Sequence, residues 1–170
     1  MIYLAIGSNL SSKHGDRFKN ITLAIDYIEE NNIKILKKSS FYETPSYPDK
    51  KNPKFINVVI IVETKLSPKD LMLLLINIEK KFDRKRNKKN EPRTCDIDII
   101  DYNKQILKIS DNQIDLILPH EKTTHRNFVL YPLSEISPNW KHPVSNAKVN
   151  SLIQKLPDLD KKSVLKLNKS

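Results

Sequence analysis

The chain alternates between runs of β-forming residues and stretches in which apolar residues recur with helical spacing. Residues 1–7 and 55–64 are almost continuously apolar, which predicts buried strands. Between them, apolar residues from Phe18 to Ile28 recur at intervals of three and four, which predicts an amphipathic helix. Residues 33–44 carry further β-forming side chains and are followed by a loop with three prolines. The first part of the chain is therefore predicted to run strand, helix, strand, strand.

A second helix has a clear predicted start. Ser67 suits the N-cap, Pro68 the first helical position and Asp70 the third. A stripe of leucine and isoleucine then continues to Phe82, and residues 95–100 form a last predicted strand. The order β-α-β-β-α-β predicts an α+β fold with a ferredoxin-like βαββαβ core.

The remaining residues are expected to form a C-terminal extension of the same single domain. A short hairpin is predicted within residues 102–109, an apolar segment at 116–120 and a short helix at 149–156. Residues 161–170 are lysine-rich and are predicted to be a frayed tail. The predicted domain therefore covers residues 1–160.

Two carboxylates stand in the last predicted strand, in a segment that reads PRTCDIDII from Pro92 to Ile100. Because side chains alternate along a strand, Asp96 and Asp98 share one face, and Cys95 lies on the other as a small buried hydrophobe. The two aspartates repel each other, and a hard divalent cation such as Mg²⁺ would relieve the repulsion. A solvent-facing strand that carries aspartates only for solubility is the alternative, so the pair alone is a weak motif.

Positive charge is concentrated just before that strand. Residues 80–93 hold eight basic and two acidic residues, which is +6 of the net charge of +10. The guanidinium forks of Arg84, Arg86 and Arg93 match phosphate oxygens. A solvated loop or a nucleic-acid patch is the alternative for the basic run alone. Carboxylates for a metal beside cations for phosphate together predict a polyphosphate site.

The composition excludes several classes of protein. Gly7 and Gly15 are the only glycines, so a Walker A loop, a Gly-rich kinase loop and a dinucleotide fingerprint are absent. The single cysteine excludes an internal disulfide and a cysteine-based metal cluster. No apolar run approaches the ~18 residues of a membrane span, and the first residues lack the features of a signal peptide. A soluble, cytoplasmic protein is expected.

Several polar residues stand in positions that indicate a role. Asn57 lies inside an apolar strand, so its amide must be hydrogen-bonded, either to a neighbouring turn or to a polar heterocycle. His120 and the pair His125-Arg126 flank one short loop, which favours contact with an anion. Glu79 is expected at the helix surface, unless the end of that helix abuts the aspartate pair.

Eight short segments keep one order along residues 1–156. They are AIGSNL at 5–10, SFYETP at 40–45, FIN at 55–57, IE at 78–79, PRTCDIDI at 92–99, PH at 119–120, RNFVL at 126–130 and PLSEI at 132–136. Together they resemble the 6-hydroxymethyl-7,8-dihydropterin pyrophosphokinase family of folate biosynthesis. The resemblance implies transfer of the β,γ-diphosphate of ATP to the pterin hydroxymethyl group, with release of AMP.

The resemblance also implies roles for individual residues, with ATP as co-substrate. Catalytic roles are implied for Arg84, Arg93, Asp96 and Asp98, and the two aspartates would bind two Mg²⁺ ions. Contacts with ATP are implied for Glu79, Arg86, Arg93, Ile99, His120 and Arg126. Contacts with the pterin are implied for Thr44, Pro45, Tyr47, Phe55, Asn57 and Phe128. A monomer with small-molecule partners, and with neither nucleic acid nor membrane as a partner, is expected.

The chain departs from the family pattern at some positions, and two rival functions stay open. Asn90-Glu91 stand where many relatives have Trp-Gly, and the residue after His120 also differs. One rival is a βαββαβ RNA-binding module, although Asp96 and Asp98 on the open sheet face would repel RNA. The other rival is an unrelated metal-dependent nucleotidyltransferase.

Overall fold

An antiparallel β-sheet forms the centre of the structure, a computed structural model that describes residues 1–83 and 91–168. The strands are β1 (Ile2–Ser8), β2 (Lys34–Lys38), β3 (Phe41–Thr44), β4 (Phe55–Glu63), β5 (Asp96–Tyr102), β6 (Leu107–Ser110), β7 (Asp115–Leu118) and β8 (Leu165–Leu167). The helices are α1 (Arg17–Glu30), α2 (Pro68–Lys81), α3 (Asn127–Ile136), α4 (Val149–Lys155) and α5 (Asp158–Lys162).

The strands of the main sheet lie in the order β5-β1-β4-β3-β8, and β2 also pairs with β4. The predicted α+β, ferredoxin-like fold class is confirmed. The region 33–44, predicted as one β segment, is two strands, and both pair with β4. No helix within the described ranges combines the length and apolar character that crossing a bilayer requires.

The helix starts follow the capping chemistry of the sequence. The Ser67 side chain accepts a hydrogen bond from the Asp70 backbone N–H at 3.1 Å, so the predicted start of α2 is confirmed. The Asp16 carboxylate caps α1 in the same way by accepting from the Lys19 N–H at 2.9 Å. Both helices pack against one face of the sheet, around Leu4, where the first hydrophobic core lies.

The opposite face of the sheet is only partly covered. Helices α3 and α4 pack on the end that carries Tyr3, Val59, Ile61 and Ile100, and these residues form a second core. The other end of the same face is not part of either core, and the candidate site residues described below stand there.

Two predictions for the C-terminal half are corrected. The hairpin predicted within 102–109 is formed instead by β6 and β7, which pair with each other between residues 107 and 118. The tail predicted to fray from residue 161 is ordered through residue 168, because α5 ends at Lys162 and β8 then pairs with β3. Backbone hydrogen bonds to β3, a strand far away in the sequence, hold this segment.

Candidate active site

Alternation along the strands places polar or small residues at the uncovered end of the second sheet face. In β5, Ile100 lies in the second core, whereas Asp98 and Asp96 continue the same face beyond the cover of α3. Cys95 and Ile97 are buried on the opposite face, as the strand pattern predicted. The sheet therefore presents both carboxylates to one side, next to each other.

The strand register connects the aspartates to the buried amide of Asn57. Gly7 pairs with Asp96 on one side and with Asn57 on the other, and Asn57 pairs in turn with Tyr42. These four residues form one row across four strands. Neighbouring strands are about 4.8 Å apart, so the backbone of Asp96 lies about 10 Å from that of Asn57. That separation leaves room for a ligand with an anionic end and a polar ring at opposite ends of the row.

A cavity of about 520 Å³ opens over this row. Its lining combines carboxylates, guanidinium groups, aromatic rings and amides. Of the residues expected to bind metal, nucleotide or pterin, the cavity is lined by Thr44, Pro45, Tyr47, Phe55, Asn57, Arg93, Asp96, Asp98, Arg126 and Phe128.

Each aspartate is paired with an arginine that also lies over an aromatic ring. Arg93 Nε is 3.1 Å from Asp96 Oδ2, and the Arg93 guanidinium carbon is 5.3 Å from the centre of the Phe55 ring. The Nε–H direction does not suit a hydrogen bond, so this contact is an ion pair only. The backbone of Arg93 is held by Asn9, whose side chain accepts from the Arg93 N–H at 2.7 Å.

The second pair, Asp98 and Arg126, also combines an aspartate with an arginine that lies over an aromatic ring. Arg126 Nη1 donates a hydrogen bond to Asp98 Oδ2 at 2.8 Å, and its guanidinium carbon lies 5.4 Å from the centre of the Phe128 ring. The arginines therefore already offset the mutual repulsion of the two aspartates that the sequence pattern implied. Burial acts to raise the pKa of the Asp98 carboxyl, but the positive charges around it and the Arg126 hydrogen bond outweigh burial, so this pKa is lowered.

His120 completes the surroundings of Asp98. Its Nε2 is 3.8 Å from Asp98 Oδ2, and its Nδ1 accepts from the Lys122 backbone N–H at 3.2 Å. Burial lowers the pKa of the His120 imidazole against the opposing effect of Asp98, so the ring is neutral at pH 7. With Nδ1 accepting, the proton of the neutral ring is on Nε2 and faces Asp98. His120, Arg126 and Arg93 together lower the pKa of the Asp98 carboxyl, and the two arginines carry permanent charge.

The amide of Asn57 is held by the strand that pairs with it. Its Nδ2 donates to Thr44 Oγ1 at 3.0 Å, while its Oδ1 lies over Gly7. A Cβ atom at Gly7 would stand 3.1 Å from that oxygen and 3.5 Å from the Phe55 ring. The glycine thus keeps the cavity floor open beside the amide, and Asn57 presents a fixed polar edge to the cavity.

The sequence matches a known family model over most of its length. Residues 3–138 match the model described as 7,8-dihydro-6-hydroxymethylpterin-pyrophosphokinase (HPPK). The chain belongs to this family. The resemblance inferred from the eight segments is therefore confirmed.

Individual relatives agree with the HPPK assignment. The chain is 36% identical over 143 residues to the 2-amino-4-hydroxy-6-hydroxymethyldihydropteridine pyrophosphokinase of Aquifex aeolicus, and the match covers 84% of each protein. It is 38% identical to the folic acid synthesis protein fol1 of Pneumocystis carinii over 96% of this chain, but it spans only 21% of that protein. The chain thus corresponds to about a fifth of that longer relative.

Solved HPPK structures have the same fold. The crystal structure of Plasmodium falciparum HPPK-DHPS superposes with a TM-score of 0.67 and 19% sequence identity, covering 91% of this chain and 44% of that one.

The side chains of two residues that were expected to contact ATP, Glu79 and Ile99, do not line the cavity. Glu79, expected at the helix surface, is only 2% exposed, and its Oε1 accepts from the backbone N–H of Ile97 at 2.8 Å. Within the described residues β5 is the edge strand beside β1, and Glu79 supplies the hydrogen-bond partner of this N–H at the sheet edge. Ile99 packs in the first core, so its side chain faces away from the cavity.

Arg84 and Arg86 lie outside the described residues, and their expected contacts with phosphate stay predictions. The structure also brings residues to the cavity that the sequence reasoning did not assign to the site. They are Ala5, Ile6, Gly7, Ser46, Lys50, Glu121, Lys122, Asn127, Leu159, Asp160 and Ser163. Lys50 was detectable in principle, since it belongs to the proline-containing loop after Thr44. Leu159, Asp160 and Ser163 carry no local signal, because contacts with distant residues, the pairing of β8 with β3 and the hydrogen bonds from Asn127, place them there.

Proposed function

We propose that this chain transfers the β,γ-diphosphate of ATP to the hydroxymethyl group of 6-hydroxymethyl-7,8-dihydropterin and releases AMP. The observation that carries the proposal is the row Asp96-Gly7-Asn57, which joins a carboxylate pair to a fixed amide across about 10 Å of one open cavity. Membership of the HPPK family supports the same reaction.

Asp96 and Asp98 have the donor chemistry of a magnesium site. Both offer hard carboxylate oxygens from one strand face, the ligands that Mg²⁺ prefers. Within residues 1–83 and 91–168 no group of three or more His, Cys, Asp or Glu residues is placed to hold a metal. Two bound Mg²⁺ ions would therefore complete their coordination with triphosphate oxygens and water, and would neutralise charge on the phosphates.

The remaining residues position the two substrates. Arg93 and Arg126 present guanidinium groups beside the aspartates, where they would bind phosphate oxygens of ATP. Phe55 and Phe128 offer flat apolar walls on which a bicyclic ring would stack. The Asn57 amide would then recognise the polar edge of that ring and set its rotation.

The attacking group would be the pterin hydroxyl itself. None of the described cavity residues is a Cys. Ser163 Oγ donates to the Asp160 carbonyl and accepts from Asn127 Nδ2, and neither group is a base that would activate it. Direct in-line attack on the β-phosphorus fits a site built from charge neutralisation and positioning. We further propose that the protein is a cytoplasmic monomer. It would act on small molecules rather than on nucleic acid, since the carboxylates of the open face would repel nucleic acid.

A product assay tests the reaction. Incubation with Mg²⁺, ATP and 6-hydroxymethyl-7,8-dihydropterin should produce AMP and the pterin diphosphate in equal amounts, and no AMP without pterin. Release of ADP or of inorganic pyrophosphate would instead indicate γ-phosphoryl or nucleotidyl transfer. Asp96→Asn should abolish turnover, whereas Asp26→Asn, at an exposed position of α1 on the other side of the sheet, should leave it unchanged.

A further inference from the structure

The C-terminal segment of the chain stands at the mouth of the cavity because of its strand register. β8 runs antiparallel to β3, with Leu165 opposite Glu43 and Leu167 opposite Phe41. Residues that precede Leu165 therefore extend beyond Glu43, toward Thr44 and the cavity. Leu159, Asp160 and Ser163 accordingly line the same cavity as the catalytic aspartates.

The segment is also hydrogen-bonded to the start of α3, next to two residues that line the cavity. Asn127 Nδ2 donates to the Asp160 backbone carbonyl at 2.8 Å and to Ser163 Oγ at 3.1 Å. Asn127 stands between Arg126, which pairs with Asp98, and Phe128, which forms a cavity wall. Three successive residues at the start of α3 thus connect the carboxylate, the C-terminal segment and the aromatic wall.

Two further contacts connect the C-terminal segment to α3. Lys166 Nζ is 3.4 Å from Glu135 Oε1, and the Tyr131 hydroxyl donates to the Lys161 carbonyl at 3.4 Å. The segment is therefore held from α3 as well as from β3, and its position at the cavity is defined on two sides.

Leu159 is the one apolar side chain of α5, whose other members are charged. It is 74% exposed, although it lines a cavity whose aromatic walls include Phe55 and Phe128. Tyr47, 78% exposed, lines the same cavity from the loop after β3. A single exposed leucine is ordinary on a protein surface, but here it stands at the mouth of a site that takes a flat heterocycle.

We infer that the 159–163 segment is a wall of the heterocycle subsite and that Leu159 contacts the bound pterin. The inference rests on the proposed function and adds a specificity-determining residue to it. Burial of the Leu159 side chain against the ring is expected to favour binding of the pterin, while the nucleotide binds at the aspartate end of the row.

Calorimetric titration tests this assignment on the full chain saturated with Mg²⁺ and a non-hydrolysable ATP analogue, with 6-hydroxymethylpterin as the titrant. Leu159→Ala should raise the pterin Kd by about fivefold, from the loss of part of one leucine's burial. The Kd of the ATP analogue, measured separately, should not change. Leu159→Met keeps the apolar volume and should bind the pterin within about twofold of the unaltered chain.

Leu165→Ala is the matched control, since Leu165 is an exposed leucine at the start of β8 and does not line the cavity. It should leave the pterin Kd unchanged. An equal pterin Kd for Leu159→Ala and the unaltered chain would overturn the Leu159 contact while leaving the proposed reaction intact. An equal loss in Leu159→Ala and Leu165→Ala would also overturn it, by indicating a general effect on the segment. Absence of pterin binding by the unaltered chain would overturn both.

Discussion

Arg126 donates a 2.8 Å hydrogen bond to Asp98, so a carboxylate expected to bind metal already has a fixed cationic partner in the protein alone. The Asp98 and Arg126 side chains are 28% and 24% exposed, which makes the pair partly shielded from water. A cation that binds Asp98 therefore competes with Arg126, and it would leave the guanidinium available for a phosphate of the nucleotide.

Removal of the Asp98 carboxylate is expected to destabilise the protein without Mg²⁺. Asp98→Ala leaves the Arg126 guanidinium without its anion, and the free energy of unfolding should fall by roughly 1–3 kcal/mol. Urea denaturation in the presence of EDTA measures this change. Asp26→Ala is the control, and Arg126→Met combined with Asp98→Ala should recover part of the loss. Unchanged stability in Asp98→Ala would show that the ion pair contributes nothing.

Substitution of Asn57 separates ligand recognition from internal bracing. Asn57→Leu keeps the side-chain size but removes the amide, whose Oδ1 lies beside Gly7 and whose Nδ2 donates to Thr44, so pterin binding should weaken by about 1–3 kcal/mol. The ATP analogue should bind as before. Asn20→Leu is the control, because Asn20 is fully buried and bonds to Ser12 and Leu10. The control should lose stability without a selective loss of pterin affinity, and the same pattern in Asn57→Leu would contradict recognition by Asn57.

A methyl group at Gly7 should disturb the site more than the fold. Gly7→Ala places Cβ 3.1 Å from Asn57 Oδ1, so the amide must shift by a few tenths of an ångström. Weaker pterin binding with nearly unchanged thermal stability is expected from calorimetry and thermal melts. Gly15→Ala should show the reverse, since Gly15 has φ +135 and a side chain there is strained. A stability loss in Gly7→Ala as large as that in Gly15→Ala would count against this view.

Glu79 is expected to stabilise the start of the aspartate strand. Glu79→Leu removes the acceptor for the buried Ile97 N–H, and the free energy of unfolding should fall by about 1–3 kcal/mol. Hydrogen exchange of the Ile97 amide should accelerate by more than the global loss of stability explains. An unchanged exchange rate of the Ile97 amide would show that its hydrogen bond to Glu79 contributes little to stability.

The Glu135 carboxylate gives part of the stability a defined pH dependence. Burial acts to raise its pKa, but hydrogen bonds from Ser40 and Tyr42 and the charge of Lys166 outweigh burial and lower it below the ordinary 4.5. The unfolded chain therefore binds the proton first, so this stabilisation is complete above about pH 4.5 and is lost as the pH falls through the lower folded-state pKa.

Thermal melts between pH 3 and 7 measure this contribution. The difference in Tm between the unaltered chain and Glu135→Gln should be largest at neutral pH and should shrink below pH 4.5. Glu29→Gln, at an exposed position of α1, should give no such pH-dependent difference. A Tm difference that stays constant across the range would contradict the assignment.

Local chemistry determined much of the fold from the sequence. The Ser67-Pro68 start of α2 and the face shared by Asp96 and Asp98 follow from capping and from the twofold alternation of a strand. Such features depend on neighbours within a few residues, which a single sequence displays directly. The motif segments were sufficient, for the same reason, to indicate the family and ten of the residues that line the cavity.

Only the tertiary structure decided which distant groups meet. The pairing of Arg126 with Asp98, the burial of Glu79 against Ile97 and the arrival of Leu159 at the cavity all join residues far apart in the chain. No local pattern distinguishes the lysine-rich end from a frayed tail, because β8 is stable only where β3 presents free backbone groups to it. Register between strands, rather than residue type, therefore sets the shape of this site.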